Sequence, residues 1–407
     1  MPASTADRIY LDHNATTPAF PEVVEAMRAC WSEPFLNPAS QHEFGRRARR
    51  ALEDARDRIA ELLGASTRDR VIFTSGGTES NNLAIRGLLQ RAGASARLSS
   101  SNASPPSTVA TDHPAHIVVS VIEHPSITTL AAHLSQTGFH VDPLRVDPNG
   151  VIRIDDLPRL LQPQTRLVAA MLANNETGVI QPIAELAKIC NDRDVPLHTD
   201  AAQAAGKLPL NFKDLGVATM TIAAHKFGGP LGIGALLVRS DVELSAILHG
   251  GVQQSGIRPG TESVPLAVGM QVALELWDKN RREWLARLQT LRDEFESSLK
   301  RAECPLEIVG EKADRLPNTS NVAFLGLDRQ ALFVALDQAG IACSTGSACV
   351  SGSSEPSPVH IAMGCRPAVI SSALRFSFGV QTTSAEVAES TDRILRICNN
   401  LRSRKQS

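Results

Sequence analysis

The chain has 407 residues, of which 43% are hydrophobic and 21% are charged, and its formal net charge is −2. This composition excludes a disordered chain, and the near-zero charge gives no electrostatic footprint for nucleic acid. The length predicts two domains with separate hydrophobic cores.

The seven cysteines are scattered, and no two of them form a CxxC motif or stand at the spacing of zinc ligands. We therefore expect free thiols in a reducing cytoplasm and no metal ion. No segment has the apolar length of a secretion signal or a membrane span. The chain has one basic cluster, at residues 45–58, in which arginines alternate with acidic residues. Apolar residues recur there at helical spacing, so the cluster indicates the solvated face of a helix.

Six β-rich stretches alternate with helical ones between residues 71 and 238. Many lack polar alternation, which indicates strands buried on both faces of a mainly parallel sheet covered by helices, an α/β fold. The predicted strands are residues 71–74, 116–122, 166–173, 195–200, 220–224 and 234–238. Ligands bind such sheets at the carboxyl ends of the strands, and polar motifs follow several of these strands.

The first such motif is TSGGTESNN, in which a strand ends, two glycines follow and a helix begins near Thr78. Helix N-termini present N–H groups and partial positive charge, and glycines let the backbone approach an anion. Gly77 and Thr78 are therefore candidates for a phosphate cradle. Strand–Gly–Gly–helix turns also serve packing alone, so both interpretations stay open for this motif in isolation.

Three further strand ends carry reactive side chains. His124 could stack on a planar ring, although a histidine at a strand end is usually hydrogen-bonded structure. Asp200 could pair with a protonated ring nitrogen, or cap the helix that follows. Lys226 stands between an apolar strand and a glycine turn, where partial desolvation would lower its proton affinity and let it form a Schiff base.

Amides and an arginine complete the set. Asn174 and Asn175 end an apolar strand and could bind a polar ligand, or form a turn. Arg375 alternates with the apolar Leu374 and Phe376, and its guanidinium suits a substrate carboxylate, with a structural salt bridge as the alternative. Together the candidates specify a pyridoxal phosphate (PLP) site for an amino acid.

Cys349 lies in CSTGSACVSGSSEPSPVH, a long run of small residues that offers little to a core. This setting indicates a thiol on a mobile arm rather than a structural cysteine. The motifs follow one order along nearly the whole chain: YLDHNATTP, NPASQH, TSGGTESNN, IEH, NNETG, HTDAAQ, HKFGGPLGIGAL, GIRPGTE, STGSACVSGSSEPSPV and LRFSFG. In this order they resemble the cysteine desulfurase family of the class V aminotransferase group, which are fold-type I PLP enzymes, and the subgroup with a mobile cysteine loop.

The resemblance implies a role for each candidate residue. Lys226 would bind PLP covalently and act as the catalytic base, His124 would stack on the cofactor ring, and Cys349 would accept sulfur. The implied substrate contacts are Asn14, Asn175 and Arg375. The implied cofactor contacts are Gly77, Thr78, His124, Asn175, Asp200, Gln203, His225 and Lys226, with Thr261 reaching in from the second subunit of a homodimer.

The implied reaction converts L-cysteine to L-alanine and leaves a persulfide on Cys349 for an acceptor protein, such as an iron–sulfur scaffold or a tRNA-thiolation protein. Selenocysteine lyase on the same scaffold is the alternative. Two residues depart from the family pattern. Ala223 stands where many relatives have a serine ligand for phosphate, and Cys343 either fills space or resolves the persulfide.

The implied organisation is a PLP-dependent transferase fold with a large and a small domain. We expect an N-terminal segment that belongs to the small domain, a large PLP-binding domain, and a smaller α+β domain that carries the Cys349 loop, at residues 1–20, 21–265 and 266–407. An amphipathic helix is predicted at residues 283–302, and Thr383 and Glu386 have capping-box spacing. The Ser/Pro-rich segment 99–111 is expected to be a surface insertion.

Overall fold

The computed structural model describes residues 8–32, 36–98, 115–302, 304–346 and 355–406. Cys349 and the Ser/Pro-rich segment 99–111 lie outside these ranges. The α-helices are α1 (Pro21–Ser32), α2 (Glu43–Leu62), α3 (Gly77–Leu98), α4 (Pro125–Gln136), α5 (Leu157–Leu160), α6 (Ile183–Asn191), α7 (Phe212–Leu215), α8 (Val264–Arg301), α9 (Arg329–Gln338), α10 (Pro358–Ala362), α11 (Pro367–Ile370) and α12 (Ser384–Gln406). The strands are β1 (Ile9–Tyr10), β2 (Arg70–Thr74), β3 (His116–Ser120), β4 (His140–Leu144), β5 (Thr165–Ala169), β6 (Leu197–Asp200), β7 (Thr219–Ala223), β8 (Gly234–Val238), β9 (Leu306–Ile308), β10 (Thr319–Phe324), β11 (Ile341–Ala342) and β12 (Ala373–Ser377).

A seven-stranded sheet lies at the centre of the larger part of the chain, in the order β2-β8-β7-β6-β5-β3-β4. Strands β7, β6, β5, β3 and β4 are parallel to their neighbours in this series. Strand β8 is antiparallel to both β2 and β7, so β2 runs in the same direction as the parallel strands. The predicted mainly parallel sheet is confirmed, and its carboxyl edge collects the ends of β2, β3, β5, β6 and β7.

All six predicted strands are present, with ends that differ from the prediction by a few residues. Their apolar runs are buried on both faces, as the lack of polar alternation predicts. The prediction lacks β4, whose sequence His-Val-Asp-Pro-Leu is only partly buried. Pro143 and the polar residues suit an edge strand, which has one unpaired side.

Helix α2 shows how the covering helices form. Its buried residues, Ala48, Leu52, Ala55 and Ile59, recur every three or four positions, and arginines and acids occupy the remaining face. The solvated-helix interpretation of the basic cluster is therefore confirmed. No helix in the described ranges has both the length and the apolarity to cross a membrane.

The C-terminal part of the chain contains a second, smaller sheet with the order β12-β10-β9, in which both pairs are antiparallel. Strand β1 pairs in parallel with β11, so the N-terminus joins this part of the chain. A separate hydrophobic cluster includes Ile9, Leu11, Phe376 and Cys398. The capping box is confirmed, since Glu386 N donates to Thr383 Oγ1 at 3.1 Å and Thr383 N donates to Glu386 Oε2 at 2.8 Å.

Helix α8 connects the two parts and is longer than the predicted helix. Its first half packs Ala267 and Met270 into the core beside the large sheet. Its second half packs Leu291 and Phe295 into the cluster beside the small sheet. One continuous helix therefore holds both cores, and the exact domain boundaries stay a prediction.

Candidate active site

The carboxyl edge of the large sheet brings five of the candidate residues together. Gly77 follows β2, His124 follows β3, Asn175 follows β5, Asp200 ends β6 and Lys226 follows β7. These strands run in one direction, so side chains far apart in the sequence meet at a single edge.

Lys226 ends the short 3₁₀ turn Ala224–Lys226 that directly follows β7. Its Nζ donates to the carbonyl oxygens of Asn14 and Ala15, both at 2.8 Å. The N-terminal segment therefore lies across the carboxyl end of β7. His225 contacts the same segment, with Nδ1 at 3.2 Å from Thr16 Oγ1. Burial, with the nearby positive charge of Lys226, lowers the pKa of His225 to about 4, so its ring is neutral at neutral pH.

Asn14 is buried and bonds to both parts of the chain. Its Nδ2 donates to Thr319 Oγ1 at 2.9 Å and to the carbonyl oxygen of Asn175 at 3.3 Å. Its own carbonyl oxygen accepts from Gln203 Nε2 at 2.9 Å as well as from Lys226. These bonds fix the amide of Asn14 between the two sheets.

Asp200 and His124 are joined through two residues that the sequence analysis did not single out, Asn81 and Ser126. Asn81 Nδ2 donates to Asp200 Oδ2 and to Ser126 Oγ, both at 2.8 Å. Ser126 Oγ lies 2.9 Å from His124 Nδ1, and the Ser126 N–H donates to the same nitrogen at 3.2 Å. Since a backbone N–H only donates, Nδ1 is the acceptor, and a neutral His124 ring carries its proton on Nε2.

The local turns explain why these side chains stand where they do. His124 is the N-cap of α4 and is followed by Pro125 at the first helical position. Asp200 Oδ1 accepts from the backbone N–H of Ala202 at 2.9 Å, so this acid does stabilise the turn after its strand. Its second oxygen is held by Asn81. Asp200 thus has one bond to each carboxylate oxygen.

The start of α3 rests on the end of β7. A Cβ atom placed on Gly77 would lie 3.7 Å from Ala223 Cβ, so the helix N-terminus is close to the turn that carries Lys226. The first N–H groups of a helix of this length attract an anion such as phosphate. Thr78 and His124 both line an open cleft of about 500 Å³, within the usual range for small-molecule sites.

Arg375 lies on β12 and is almost fully buried. One guanidinium nitrogen, Nη2, donates to Asp12 Oδ1 at 2.6 Å, and Nη1 donates to the carbonyl oxygen of Asn175 at 2.9 Å. Its Nε has no hydrogen-bond partner among the described residues. The salt bridge that the alternative interpretation predicts is therefore present, with Asp12 as the partner, and the contact of Arg375 with a substrate carboxylate stays a prediction.

The two asparagines after β5 differ in their roles. Asn174 Oδ1 accepts from the N–H groups of Glu176 and Thr177, both at 2.9 Å, so this residue forms the turn. Asn175 presents its carbonyl oxygen to Asn14 and Arg375. Thr261 precedes α8 and lines a cavity with Ser75, Gly232 and Arg258, and Lys226 is not among the residues that line it.

The donor set fits PLP. The carboxyl edge of the sheet carries a lysine amine, a carboxylate fixed at both oxygens, an imidazole ring and a helix N-terminus. Each of these groups matches one part of that cofactor. A profile of the family described as aminotransferase class V matches residues 9–389. A protein of Dictyoglomus turgidum described as cysteine desulfurase IscS is 39% identical, over 97% of this chain and 95% of the relative.

The chain belongs to the cysteine desulfurase family. Solved structures agree. The structure of a NifS-like protein is 31% identical in sequence and has a TM-score of 0.86, and the match covers 97% of this chain and 100% of the NifS-like chain. A structure described as SspA in complex with cysteine is 31% identical, covers 92% of this chain and 99% of its own, and has a TM-score of 0.76. Members of this family are PLP-dependent enzymes, so PLP is the cofactor.

This cysteine desulfurase family member also has a buried lysine, Lys207, near the half-buried Lys226, and the sequence analysis missed it. Lys207 Nζ donates to Gln203 Oε1 at 2.7 Å and to Asn14 Oδ1 at 3.1 Å. Burial, and then the positive charges of Lys226 and Arg375, hold the pKa of Lys207 well below its usual value. Its signal was weak because a lysine inside HTDAAQAAGK is usually solvated.

A buried acid, Glu123, also escaped the sequence analysis. Its Oε1 accepts from the Met171 N–H at 2.7 Å, and its Oε2 has no hydrogen-bond partner among the described residues. Burial raises the pKa of Glu123 to about 8, and the nearby charge of Asp200 acts in the same direction. Glu123 therefore carries a proton at neutral pH.

The remaining cysteine near the loop, Cys343, is buried in the cluster beside the small sheet. Burial raises the pKa of this thiol above its usual value, which leaves it protonated and weakly nucleophilic. This environment favours the space-filling interpretation of Cys343 over a role in resolving a persulfide.

Proposed function

We propose that the chain is a PLP-dependent cysteine desulfurase that converts L-cysteine to L-alanine and holds the sulfur as a persulfide on Cys349. Family membership at 39% identity supports the reaction class. The observation that carries the proposal is the position of the Lys226 amine, held by two carbonyl oxygens at the sheet edge that also bears Asp200 and the start of α3. Selenocysteine lyase is not favoured, because the relatives are described as cysteine desulfurases.

PLP bound at this edge supplies an electron sink for the negative charge that develops at the substrate Cα. Lys226 would hold the cofactor covalently, and His124 would stack on its ring. Asp200 would keep the ring nitrogen protonated, and Gln203 would bond to the phenolic oxygen. Gly77, Thr78 and His225 would hold the phosphate, with Thr261 from a second subunit.

The chain's own residues then bind cysteine and move its proton. Arg375 takes the substrate carboxylate with its guanidinium fork, and Asn14 and Asn175 complete that contact. The Lys226 Nζ removes the Cα proton.

Sulfur transfer is assigned to Cys349. Its thiolate attacks the sulfur of the substrate, the substrate C–S bond breaks, and a new S–S bond forms. Cysteine and one enzyme thiol thus give alanine and one enzyme persulfide, with no external oxidant or reductant. The carbon that lost sulfur receives a proton, which balances the exchange.

The proposal includes a homodimer in the cytoplasm that passes sulfur to an acceptor protein, such as an iron–sulfur scaffold or a tRNA-thiolation protein. The proposal also divides the chain into a large domain, residues 21–265, and a small domain, residues 266–407. Residues 1–20 belong to the small domain. The cluster that Ile9 and Leu11 share with Phe376 and Cys398, and the β1–β11 pair, support the assignment of the N-terminal segment to the small domain.

Mass spectrometry of the purified holoenzyme after incubation with cysteine tests the reaction. We expect the Cys349 peptide to gain one sulfur while alanine appears, and we expect neither product from Cys349→Ser. Release of alanine without added sulfur on Cys349 would contradict the assignment of the acceptor thiol. Equal turnover of selenocysteine by the wild type and by Cys349→Ser would favour the lyase instead.

A further inference from the structure

A histidine pair lies at the opposite edge of the large sheet from Lys226. His116 is the first residue of β3 and His140 is the first residue of β4, and the two are direct partners in the parallel register. Asp142 follows His140 by two residues, so it projects from the same face of β4. The candidate ligand atoms of these three side chains all lie within 4.8 Å of one another.

The distances between the ligand atoms of these three side chains are close to those between the ligands of a bound metal ion. His116 Nε2 lies 3.2 Å from Asp142 Oδ2, and His140 Nε2 lies 3.6 Å from Asp142 Oδ1. Ligands that bind a tetrahedral ion at about 2.0–2.1 Å stand about 3.3 Å from each other. Two imidazoles and a carboxylate therefore reach metal-binding distances with little movement.

A second contact orients the buried ring. His116 Nδ1 lies 2.8 Å from Thr165 Oγ1, and that hydroxyl accepts from the Gln162 N–H at 2.7 Å. When Nδ1 donates its proton to Thr165, the lone pair on Nε2 faces the other two ligands. Histidines that bind metals usually have such a partner on the second ring nitrogen.

The cluster is open to solvent on one side only. The His116 side chain is fully buried, whereas the His140 side chain is 52% exposed and that of Asp142 is 23% exposed. An ion can therefore enter from solvent, and a water molecule can complete its coordination. Imidazole and carboxylate together suit zinc and neighbouring transition metals better than magnesium or calcium.

We infer that His116, His140 and Asp142 form a binding site for a divalent transition-metal ion of the Zn²⁺ class, with water as the fourth ligand. The site stands apart from the proposed desulfurase reaction, because it lies at the amino edge of the sheet. Among the described strands β4 pairs only with β3, so the ion would tie this edge strand to the sheet. The sequence analysis expected no metal ion and did not single out these three residues, because they come from two strands.

Cobalt binding to the full-length holoenzyme tests this inference. We expect one equivalent of Co²⁺ to give visible d–d bands in a difference spectrum, without the near-ultraviolet charge-transfer band of a cysteine ligand. His140→Gln should weaken Co²⁺ binding by at least about tenfold, and Asp142→Asn should weaken it as well. His133→Gln, which changes an exposed histidine on α4, should bind like the wild type.

Zinc should also raise the melting temperature of the wild type and of His133→Gln more than that of His140→Gln, because an ion that binds the folded state stabilises it. Equal Co²⁺ affinity in all variants would overturn the inference, and so would a dominant sulfur-to-cobalt band. The exposed His140 keeps the test decisive even if Asp142→Asn fails to fold. Activity is not the readout, so a failed desulfurase assignment would leave the result interpretable.

Discussion

At the carboxyl edge of the seven-stranded sheet, polar side chains are bonded to partners from distant parts of the chain, as with the half-buried Lys226 and the buried Asn14. At the amino edge, His116, His140 and Asp142 come from two neighbouring strands, and whereas His116 is fully buried, His140 and Asp142 are partly exposed. A buried polar group must find all its partners in the protein, whereas a half-exposed group can exchange them with water. The carboxyl edge is therefore a fixed site, and the amino edge is one that a solvent ion can enter.

The two edges should differ most at Lys226. We expect Lys226→Ala to lower cysteine-dependent alanine formation by at least about 10⁴-fold, because both the covalent link and the base are lost. The visible absorbance of the bound cofactor should change with it. Arg166→Gln, an exposed change at the amino end of β5, should leave the rate within about twofold. A comparable loss from both variants would remove the distinction between the edges.

Arg375 offers the next largest effect. Arg375→Lys should lower kcat/KM for cysteine by about 10²-fold, mainly through KM, because an ammonium cannot reproduce the bidentate fork. Steady-state kinetics with a melting curve for each variant measures this. Asp12→Asn is the matched control, since it removes the ion pair but keeps the guanidinium. If Arg375 were only structural, both variants would lose stability alike and KM would not change.

Lys207 should have a smaller effect, because it acts through its neighbours. Lys207→Met keeps the buried volume but removes the donors to Gln203 and Asn14. We expect kcat to fall about tenfold, a loss of about 1.4 kcal/mol of transition-state stabilisation, with KM little changed. A lower melting temperature with an unchanged kcat would show instead that Lys207 serves packing alone.

Glu123 should have the smallest effect on activity, because we expect to see it only as a pH dependence of stability. Its pKa of about 8 in the folded protein lies above the usual 4.5, so the folded state keeps a proton that the unfolded state releases. Its contribution to the free energy of unfolding is therefore largest below pH 4.5 and falls as pH rises toward 8, by about 1 kcal/mol per pH unit. Glu123→Gln should lose this slope, which urea unfolding at pH 5.5 and 7.5 measures. Parallel slopes for the two proteins would contradict a buried, protonated Glu123.

The sequence predicted the large sheet well because its strands are short apolar runs. Strand β4 was missed, since Pro143 and its polar neighbours leave no such run. Five of the cofactor-site candidates could be singled out because each lies at or after the carboxyl end of a strand, where α/β folds place their ligands, and Gln203, His225 and Thr261 came from the family resemblance alone.

The supporting residues could not be found in this way. Asn81 and Ser126 lie in the first turns of their helices, where polar residues are common. Their hydrogen bonds nevertheless connect Asp200 to His124. The pairing of Asp12 with Arg375 links the two ends of the chain. Such contacts follow from tertiary packing, which no local pattern of residue types encodes.

The reversed strand β8 also affects how the chain folds during synthesis. Within the described sheet β2 pairs only with β8, yet β8 is made long after β2 and must insert between β2 and β7. A nascent chain that ends before Gly234 thus leaves β2 without a partner, and its exposed edge is open to aggregation. Pulse proteolysis of stalled ribosome complexes should therefore show protection of β2 appearing abruptly once β8 has left the exit tunnel.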